Sequence, residues 1–288
     1  MGLGNISRDV EAGLDAVVVQ QVQNPRCRDA GAVFPHGHEA WELGGIRVAV
    51  DCAGYAVHVE AKHHEQGLYQ YFRYLAHRDT VAEIEENGGR AMAVGCRVEI
   101  ADEVATAFQH IENELGPVDI LVNNAGISRP ELTLEMSEEN WDLHMDVNCK
   151  SVFLCSQAAA RQMKTHGGGV IVNIGSILGR NAFPATLGYC TSKAAVDHMT
   201  RVMAIEWARY GIRVNCVVPG YVRTDLIDQL AAEGKLAIKD LERRTPQKRL
   251  GTGAEIAKAV RYVASDDAAY MTGETMVIDG GWTAFGYY

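Results

Sequence analysis

The sequence predicts an α/β protein in which a doubly wound parallel sheet is covered by helices on both faces. Two observations lead to this fold class. From about residue 80 onward, helical and strand patterns alternate regularly, and the strands are short continuous apolar runs. Strand–helix alternation of this kind produces a parallel sheet. We expect one such domain over residues 46–288, preceded by an atypical N-terminal extension over residues 1–45.

Each predicted element is marked by its own periodicity. Residues 101–115 carry four apolar side chains on one helical face, namely Val104, Phe108, Ile111 and Leu115. Further helices are predicted at 138–164, 190–210 and 253–264, and buried strands at 118–122, 170–174, 212–218 and 274–278. The segment 221–250 has the pattern of a mobile helical lid. Together these elements predict a Rossmann-like sheet, in which ligands bind at the carboxyl ends of the strands.

The first 80 residues fit this scheme less closely. Residues 46–50 are predicted to form the first strand, which leaves 68–75 as the second strand by elimination. An alternative alignment takes 16–19 as the first strand and 46–51 as the second. We disfavour this alternative because it leaves roughly twenty residues too many before the strand predicted at 91–94.

Composition and charge exclude several functional classes. The net charge of −10 argues against nucleic-acid binding, which needs a basic face. No apolar run approaches the length of a membrane helix, and the N-terminus lacks the layout of a signal peptide. Seven cysteines are scattered singly, which indicates a reducing, cytoplasmic environment. No metal site is expected, because His36, His38, His63 and His64 have no further ligands at suitable spacing.

Catalytic chemistry is indicated by Ser176, Tyr189 and Lys193. Tyr189 and Lys193 are four residues apart on a predicted helix, so their side chains share one face. An ammonium close to a phenol lowers the phenol's pKa from its ordinary value of ~10, which would make Tyr189 a usable acid or base. Ser176 follows the strand at 170–174, where its hydroxyl can donate to a substrate oxygen.

At this point the sequence resembles the short-chain dehydrogenase/reductase family, in its 3-oxoacyl reductase-like branch. The matching motifs occur in order from about residue 80 to 282: LVNNAG at 121–126, VNIGS at 172–176, YCTSK at 189–193, PGYVRT at 219–224 and TGETMVIDGG at 272–281. The resemblance implies an oxidoreductase that transfers hydride between NAD or NADP and a small ketone or secondary alcohol. It also implies a homo-oligomer, most often a tetramer, paired through the helices at 138–164 and 190–210.

The resemblance also assigns roles to individual residues. Tyr189 is expected to be the acid/base, Lys193 to lower its pKa and bind the nicotinamide ribose, and Ser176 to polarise the substrate carbonyl. Asn148 is expected to bind a water in a proton relay to Lys193. The other expected cofactor contacts lie in two of the motifs and are Asn124, Gly126, Pro219, Gly220, Val222 and Thr224.

The pattern breaks at the glycine-rich loop that the family places after its first strand. Residues 51–58 read DCAGYAVH and keep one suitable glycine, whereas Tyr55 and His58 add bulk where the backbone should approach a pyrophosphate. We therefore expect weak dinucleotide binding, to which residues 1–45 contribute nothing. A catalytically idle binding or scaffold protein with the same fold is the alternative function.

Overall fold

A computed structural model of the chain describes residues 15–21, 47–51, 81, 82, 86, 90–232, 234 and 236–286. These residues form a sheet of seven strands in the order β3-β1-β2-β4-β5-β6-β7. The strands are β1 (Asp15–Gln21), β2 (Arg47–Asp51), β3 (Arg90–Cys96), β4 (Ile120–Asn123), β5 (Gly169–Ile174), β6 (Ile212–Pro219) and β7 (Thr275–Ile278).

The strands β2, β4, β5, β6 and β7 pair in parallel, as predicted. β1 is antiparallel to both of its neighbours, β2 and β3. The prediction of a parallel sheet therefore needs one correction at β1. An antiparallel pair requires no crossover helix between its strands. The strand–helix alternation that predicts the parallel strands therefore does not include β1.

The position of β2 decides between the two alignments of the N-terminal region. β2 pairs in parallel with β4, with Val48 opposite Ile120 and Asp51 opposite Asn123. The strand predicted at 46–50 thus lies where the first strand of a doubly wound sheet meets the fourth, and the alternative that made it the second strand is wrong in this order. The strand that the alternative placed at 16–19 is present as β1, which the favoured alignment did not predict. Residues 68–75 lie outside the described residues, and β1 holds the place between β2 and β3. The domain boundary at residue 45 stays a prediction.

The predicted helices are present with small shifts of their ends. They are α1 (Ala101–Leu115), α2 (Glu138–Met145), α3 (Ser151–Thr165), α4 (Leu187–Trp207), α5 (Asp225–Ala232), α6 (Ile238–Arg244) and α7 (Gly253–Ala264). The single helix predicted at 138–164 consists of α2 and α3 joined by a π-helical turn, Asp146–Lys150. Such turns are rare and are often found at functional sites.

Hydrophobic side chains fill both faces of the sheet, as a doubly wound fold requires. On one face Leu121 and Ile171 pack in a cluster with Ile111 of α1 and Met163 of α3, all fully buried. On the other face, Val172 and Val217 pack with Val260 and Val263 of α7. Burial of each such side chain contributes roughly 1.5–3 kcal/mol, so the two layers hold the strand ends in fixed positions.

Candidate active site

The carboxyl ends of β4, β5 and β6 deliver the residues expected in the site. Asn124 and Gly126 follow β4, Ser176 follows β5, and Pro219 ends β6. Because these strands are parallel neighbours, their ends meet at one edge of the sheet. The corresponding segment after β2, with Tyr55 and His58, lies outside the described residues.

Ser176 is held by the tight turn that it begins. It is the N-cap of a 3₁₀ turn, Ile177–Gly179, and its Oγ accepts a hydrogen bond of 3.1 Å from the Leu178 backbone N–H. The turn lies directly against α4, because a Cβ built on Gly179 would be 2.8 Å from the carbonyl carbon of Lys193. This contact fixes the distance between Ser176 and the helix that carries Tyr189 and Lys193.

Tyr189 and Lys193 lie one turn apart near the start of α4, as predicted. The Lys193 Nζ is 5.9 Å from the centroid of the Tyr189 ring, and it donates a hydrogen bond of 2.9 Å to the Ile174 carbonyl oxygen. Burial raises the pKa of Tyr189, and a side-chain hydrogen bond with Ser176 acts against that rise. The direction is opposite to the one expected from Lys193, because desolvation of the phenolate outweighs the stabilising contacts.

Asn148 lies in the π-helical turn and is fully buried. Its side-chain Oδ1 accepts from the Ile127 N–H at 2.7 Å, and its Nδ2 donates to the Ile127 carbonyl at 2.9 Å and to the Ser192 Oγ at 3.1 Å. A Cβ built on Gly126 would be 3.3 Å from Asn148 Oδ1 and 3.4 Å from Lys193 Nζ. Asn148, Lys193 and the backbone of Gly126 therefore converge on one point.

The structure adds His144, which sequence reasoning did not single out. His144 is buried one helical turn before Asn148, and a Cβ on Gly188, next to Tyr189, would be 2.9 Å from its ring. The Arg129 backbone N–H donates to its Nε2 at 3.1 Å, so Nδ1 carries the proton and donates to the Asn140 carbonyl at 2.7 Å. The spacing of four between His144 and Asn148 on a helical pattern was the available signal.

The segment expected to contact the nicotinamide is an ordered loop after β6. The Gly220 N–H donates to the Ile278 carbonyl at 2.9 Å, and Val222 forms a bridge to Gly251. The Thr224 hydroxyl accepts from the Ile227 N–H at 3.4 Å at the start of α5. This loop and the Asn124–Gly126 segment both follow carboxyl ends of strands in the parallel part of the sheet.

These residues fit a nicotinamide dinucleotide. Gly126 leaves free the space that a Cβ would fill beside Lys193 and Asn148, so a ribose hydroxyl can approach the ammonium there. The dinucleotide, when bound, supplies or accepts the hydride.

No helix in the described part of the chain is long and apolar enough to span a bilayer. Across the same ranges, His, Cys, Asp and Glu side chains form no group of three or more with the geometry of a metal site.

Comparison with known proteins identifies the family. A family model described as "Enoyl-(Acyl carrier protein) reductase" matches residues 49–283. A 3-oxoacyl-[acyl-carrier-protein] reductase of Synechocystis is 40% identical, over 71% of this chain and 81% of its own length. The short-chain reductase NovJ of Streptomyces niveus is 38% identical, over 71% of this chain and 79% of its own.

Solved structures give the same result. A gluconate 5-dehydrogenase from Burkholderia cenocepacia, in complex with NADP and tartrate, has a TM-score of 0.62 and 36% identity, over 65% of this chain and 73% of its own. A short-chain dehydrogenase/reductase from Mycobacterium marinum has a TM-score of 0.67 and 41% identity, over 71% of this chain and 80% of its own.

The fold and the site define a class of NAD(P)-dependent oxidoreductases. The chain belongs to the short-chain dehydrogenase/reductase family, as the motifs predicted. Its function as an oxidoreductase that uses NAD or NADP is confirmed at this level, and the idle scaffold is not supported.

Proposed function

We propose that the chain interconverts a small ketone and a secondary alcohol, with Ser176, Tyr189, Lys193 and Asn148 as its catalytic residues. The observation that carries this proposal is the close packing of the turn that begins at Ser176 against α4, the helix that carries Tyr189 and Lys193, at the carboxyl edge of the sheet. Two hydroxyls brought to the same edge can both contact one carbonyl oxygen, one to polarise it and the other to transfer a proton.

In the direction of reduction, the Tyr189 hydroxyl would give its proton to the carbonyl oxygen of the substrate, and a bound nicotinamide cofactor would supply the hydride for the carbonyl carbon. Because burial raises the pKa of Tyr189, its hydroxyl keeps its proton at neutral pH. This state is the one that reduction requires, so ketone reduction is the direction to assay.

Lys193 and Asn148 would return the proton to Tyr189. The Lys193 ammonium, held by the Ile174 carbonyl, is a charged donor 5.9 Å from the centroid of the Tyr189 ring. Asn148 Oδ1 and Lys193 Nζ lie 3.3 and 3.4 Å from the same Cβ position on Gly126, and a water between the two groups would complete a relay. The Ile127 hydrogen bonds keep the Asn148 amide in one orientation.

NAD or NADP would be held by residues after β4 and β6 together with α4: Asn124, Gly126, Tyr189, Lys193, Pro219, Gly220, Val222 and Thr224. Support comes from the common edge of the sheet on which these residues lie, and from relatives whose structures contain NADP. The activity should be assayed with both NADH and NADPH. Residues 52–80, the segment in which the family distinguishes NAD from NADP, lie outside the described residues.

A homotetramer in the cytoplasm is the proposed state of the protein. Apolar side chains are exposed on α3 and α4, where Phe153 and Val202 are 43% and 45% exposed and Ile205 is 81% exposed. Exposed apolar surface of this kind commonly marks subunit contacts. Light scattering at micromolar concentration would test the proposal, and a monomer mass would overturn it. The acidic net charge supports a partner that is a small molecule rather than a nucleic acid.

The proposed activity is tested by following the oxidation of NADPH and NADH with ethyl acetoacetate. We expect Tyr189→Phe to lower the rate by ~10²–10⁴-fold, because a positioned acid is lost while the ring is kept. Tyr262→Phe on α7, an exposed tyrosine away from the strand ends, is the matched control. Equal rates for wild type and Tyr189→Phe would show that the acid has been assigned wrongly.

A further inference from the structure

The C-terminal turn, defined here as residues 279–286, is tightly organised around Asp279. The Asp279 carboxylate accepts from the Gly281 N–H at 2.8 Å and from the Thr283 N–H and hydroxyl at 2.7 and 2.6 Å. Gly280 and Gly281 have φ values of +62° and +88°, which favour glycine. The chain thus reverses direction immediately after β7 and presents Trp282 at a defined place.

The C-terminal turn is docked on the segment that ends the predicted lid. The Gly280 carbonyl accepts from the Gln247 N–H at 3.2 Å. A Cβ on Gly280 would be 2.9 Å from Thr245 Cγ2, and one on Gly281 would be 3.0 Å from Pro246. The end of the lid is therefore in close contact with this turn.

Arg244, the last residue of α6, connects the end of the predicted lid with the C-terminal turn. Its guanidinium carbon is 4.8 Å from the Trp282 ring centroid and 5.1 Å from that of Phe285. It also donates to the Trp282 carbonyl at 3.4 Å and to the Phe285 carbonyl at 2.6 Å. These four contacts engage the cation within the protein, so it is not positioned as a receptor for a substrate carboxylate.

The Trp282 ring also contacts the ring of Tyr221, which is the second residue after the end of β6. The two ring centroids are 4.8 Å apart, with the planes tilted by 59°. Tyr221, Trp282 and Leu178 all pack on the same small cluster, and the Leu178 N–H donates to Ser176 Oγ. Burial raises the pKa of Tyr221, and the negative forms of Tyr189 and Cys190 add to that rise, which is consistent with Tyr221 lying near Tyr189.

We propose that Leu178, Tyr221 and Trp282 form the wall of the substrate subsite, that Arg244 holds this wall in place, and that the enzyme selects ketones with an uncharged apolar arm. The inference rests on the proposed ketone reductase activity. A substrate whose carbonyl oxygen meets Ser176 and Tyr189 places one arm along a surface made of one aliphatic and two aromatic side chains. Such a surface binds alkyl or aryl groups well and desolvates hydroxyl groups and carboxylates at a cost.

Three ketones test this preference in the full-length protein with NADPH or NADH. Ethyl benzoylacetate carries an aryl arm, ethyl acetoacetate carries a methyl group in its place, and 5-keto-gluconate is a polyhydroxylated acid. We expect kcat/KM to fall in that order. For Trp282→Ala, we expect the ratio of kcat/KM for ethyl benzoylacetate to that for ethyl acetoacetate to fall about tenfold, mainly through KM. Tyr270→Ala, which removes an aromatic ring that is fully exposed, is the control and should leave the ratio unchanged.

Arg244→Met tests the role of the cation, with the neighbouring Arg243→Met as control because Arg243 is exposed and pairs with Asp240. We expect only Arg244→Met to lower the same ratio. If Trp282→Ala does not fold, Trp282→Phe keeps a smaller ring and should lower the ratio by a lesser amount. No reduction of any ketone by wild type would refute the proposed function. Reduction with an unchanged ratio in the Trp282 and Arg244 variants, or with 5-keto-gluconate preferred, would refute this inference alone.

Discussion

The sheet has a parallel side, which consists of β2, β4, β5, β6 and β7, and an antiparallel side at β1 and β3. The four strand pairs β2-β4, β4-β5, β5-β6 and β6-β7 are all parallel, and the ends of β4, β5 and β6 carry the residues of the site. On the other side, β1 comes from the first residues of the chain and is antiparallel to both β2 and β3. The residues of the proposed site that the structure describes all lie on the parallel side, so deletion of β1 tests how far that side depends on the antiparallel one.

A buried polar network distinguishes the parallel side further. Asn123 Nδ2 donates to Ser156 Oγ at 2.8 Å and to Asn173 Oδ1 at 2.7 Å, and Asn173 Nδ2 donates to Thr200 Oγ1 at 2.9 Å. These bonds join β4 and β5 to α3 and α4 just behind the site. A buried network of this kind rigidifies the elements that it links, so the strand ends on this side are fixed by polar contacts as well as by packing.

The largest expected effect comes from deleting residues 1–45. β1 pairs along its whole length with β3 and from Val17 to Gln21 with β2, so its loss would leave two strand edges unpaired. We expect a lower midpoint of thermal unfolding and weaker binding of NADH and NADPH, measured by calorimetry and by fluorescence titration. This expectation replaces the sequence-based one that residues 1–45 contribute nothing to binding.

Deleting residues 1–14 is the control for that experiment, because it leaves β1 intact. If the two deletions give the same midpoint and the same affinities, the antiparallel strand contributes nothing, and the two sides of the sheet are independent.

Within the parallel side, Asn148→Ala should have the next largest effect. The substitution removes the partners of the Ile127 N–H and carbonyl, which costs about 1–3 kcal/mol of unfolding free energy. It also shifts the Gly126 backbone relative to Lys193, and a small misplacement can cost ~10²-fold in kcat. Chemical denaturation and steady-state kinetics measure the two effects. Asn113→Ala, on the exposed face of α1, is the control, and an equal kcat for both variants would remove Asn148 from the site.

Gly188→Ala should perturb the contact between α2 and α4. Alanine favours a helix by about 1 kcal/mol over glycine, but the added Cβ would be 2.9 Å from the His144 ring. Overpacking of this kind costs typically ~1–3 kcal/mol, and relief of the clash would move Tyr189, so kcat should also fall. Gly95→Ala, where a Cβ meets nothing within 4 Å, is the control. A Gly188→Ala protein with unchanged stability and unchanged kcat would show that this contact adapts freely.

The smallest effect concerns the pH dependence of stability at His144. Burial lowers the pKa of His144, so the folded protein keeps the ring neutral while the unfolded chain takes up a proton below ~6.5. The unfolded state is therefore favoured as the pH falls below that value. We expect the unfolding free energy of wild type to fall more than that of His144→Gln between neutral pH and pH ~5. Parallel curves for the two proteins would contradict a buried neutral His144.

The parallel side could be predicted from the sequence because its strands and its Tyr189–Lys193 pair are marked by local sequence patterns. The strands at 118–122 and 170–174 are apolar runs, and Tyr189 and Lys193 share a helical face whatever surrounds them. The antiparallel direction of β1 depends on a long-range pairing with residues 47–51 and 90–96, which no periodicity encodes. The raised pKa of Tyr189 depends on burial by distant segments, and the contact of Trp282 with Tyr221 joins residues 61 positions apart.

Transfer of deuterium is the most direct test that the Ser176, Tyr189, Lys193 and Asn148 site reduces ketones with a nicotinamide cofactor. NADPH and NADH labelled at either face of nicotinamide C4 are incubated with ethyl acetoacetate, and the alcohol is analysed by mass spectrometry. We expect wild type to give an alcohol with one deuterium on the new carbinol carbon from one of the two faces, and Tyr189→Phe to give almost none. An unlabelled alcohol from wild type, or equal labelling by both proteins, would contradict the proposed reaction centre.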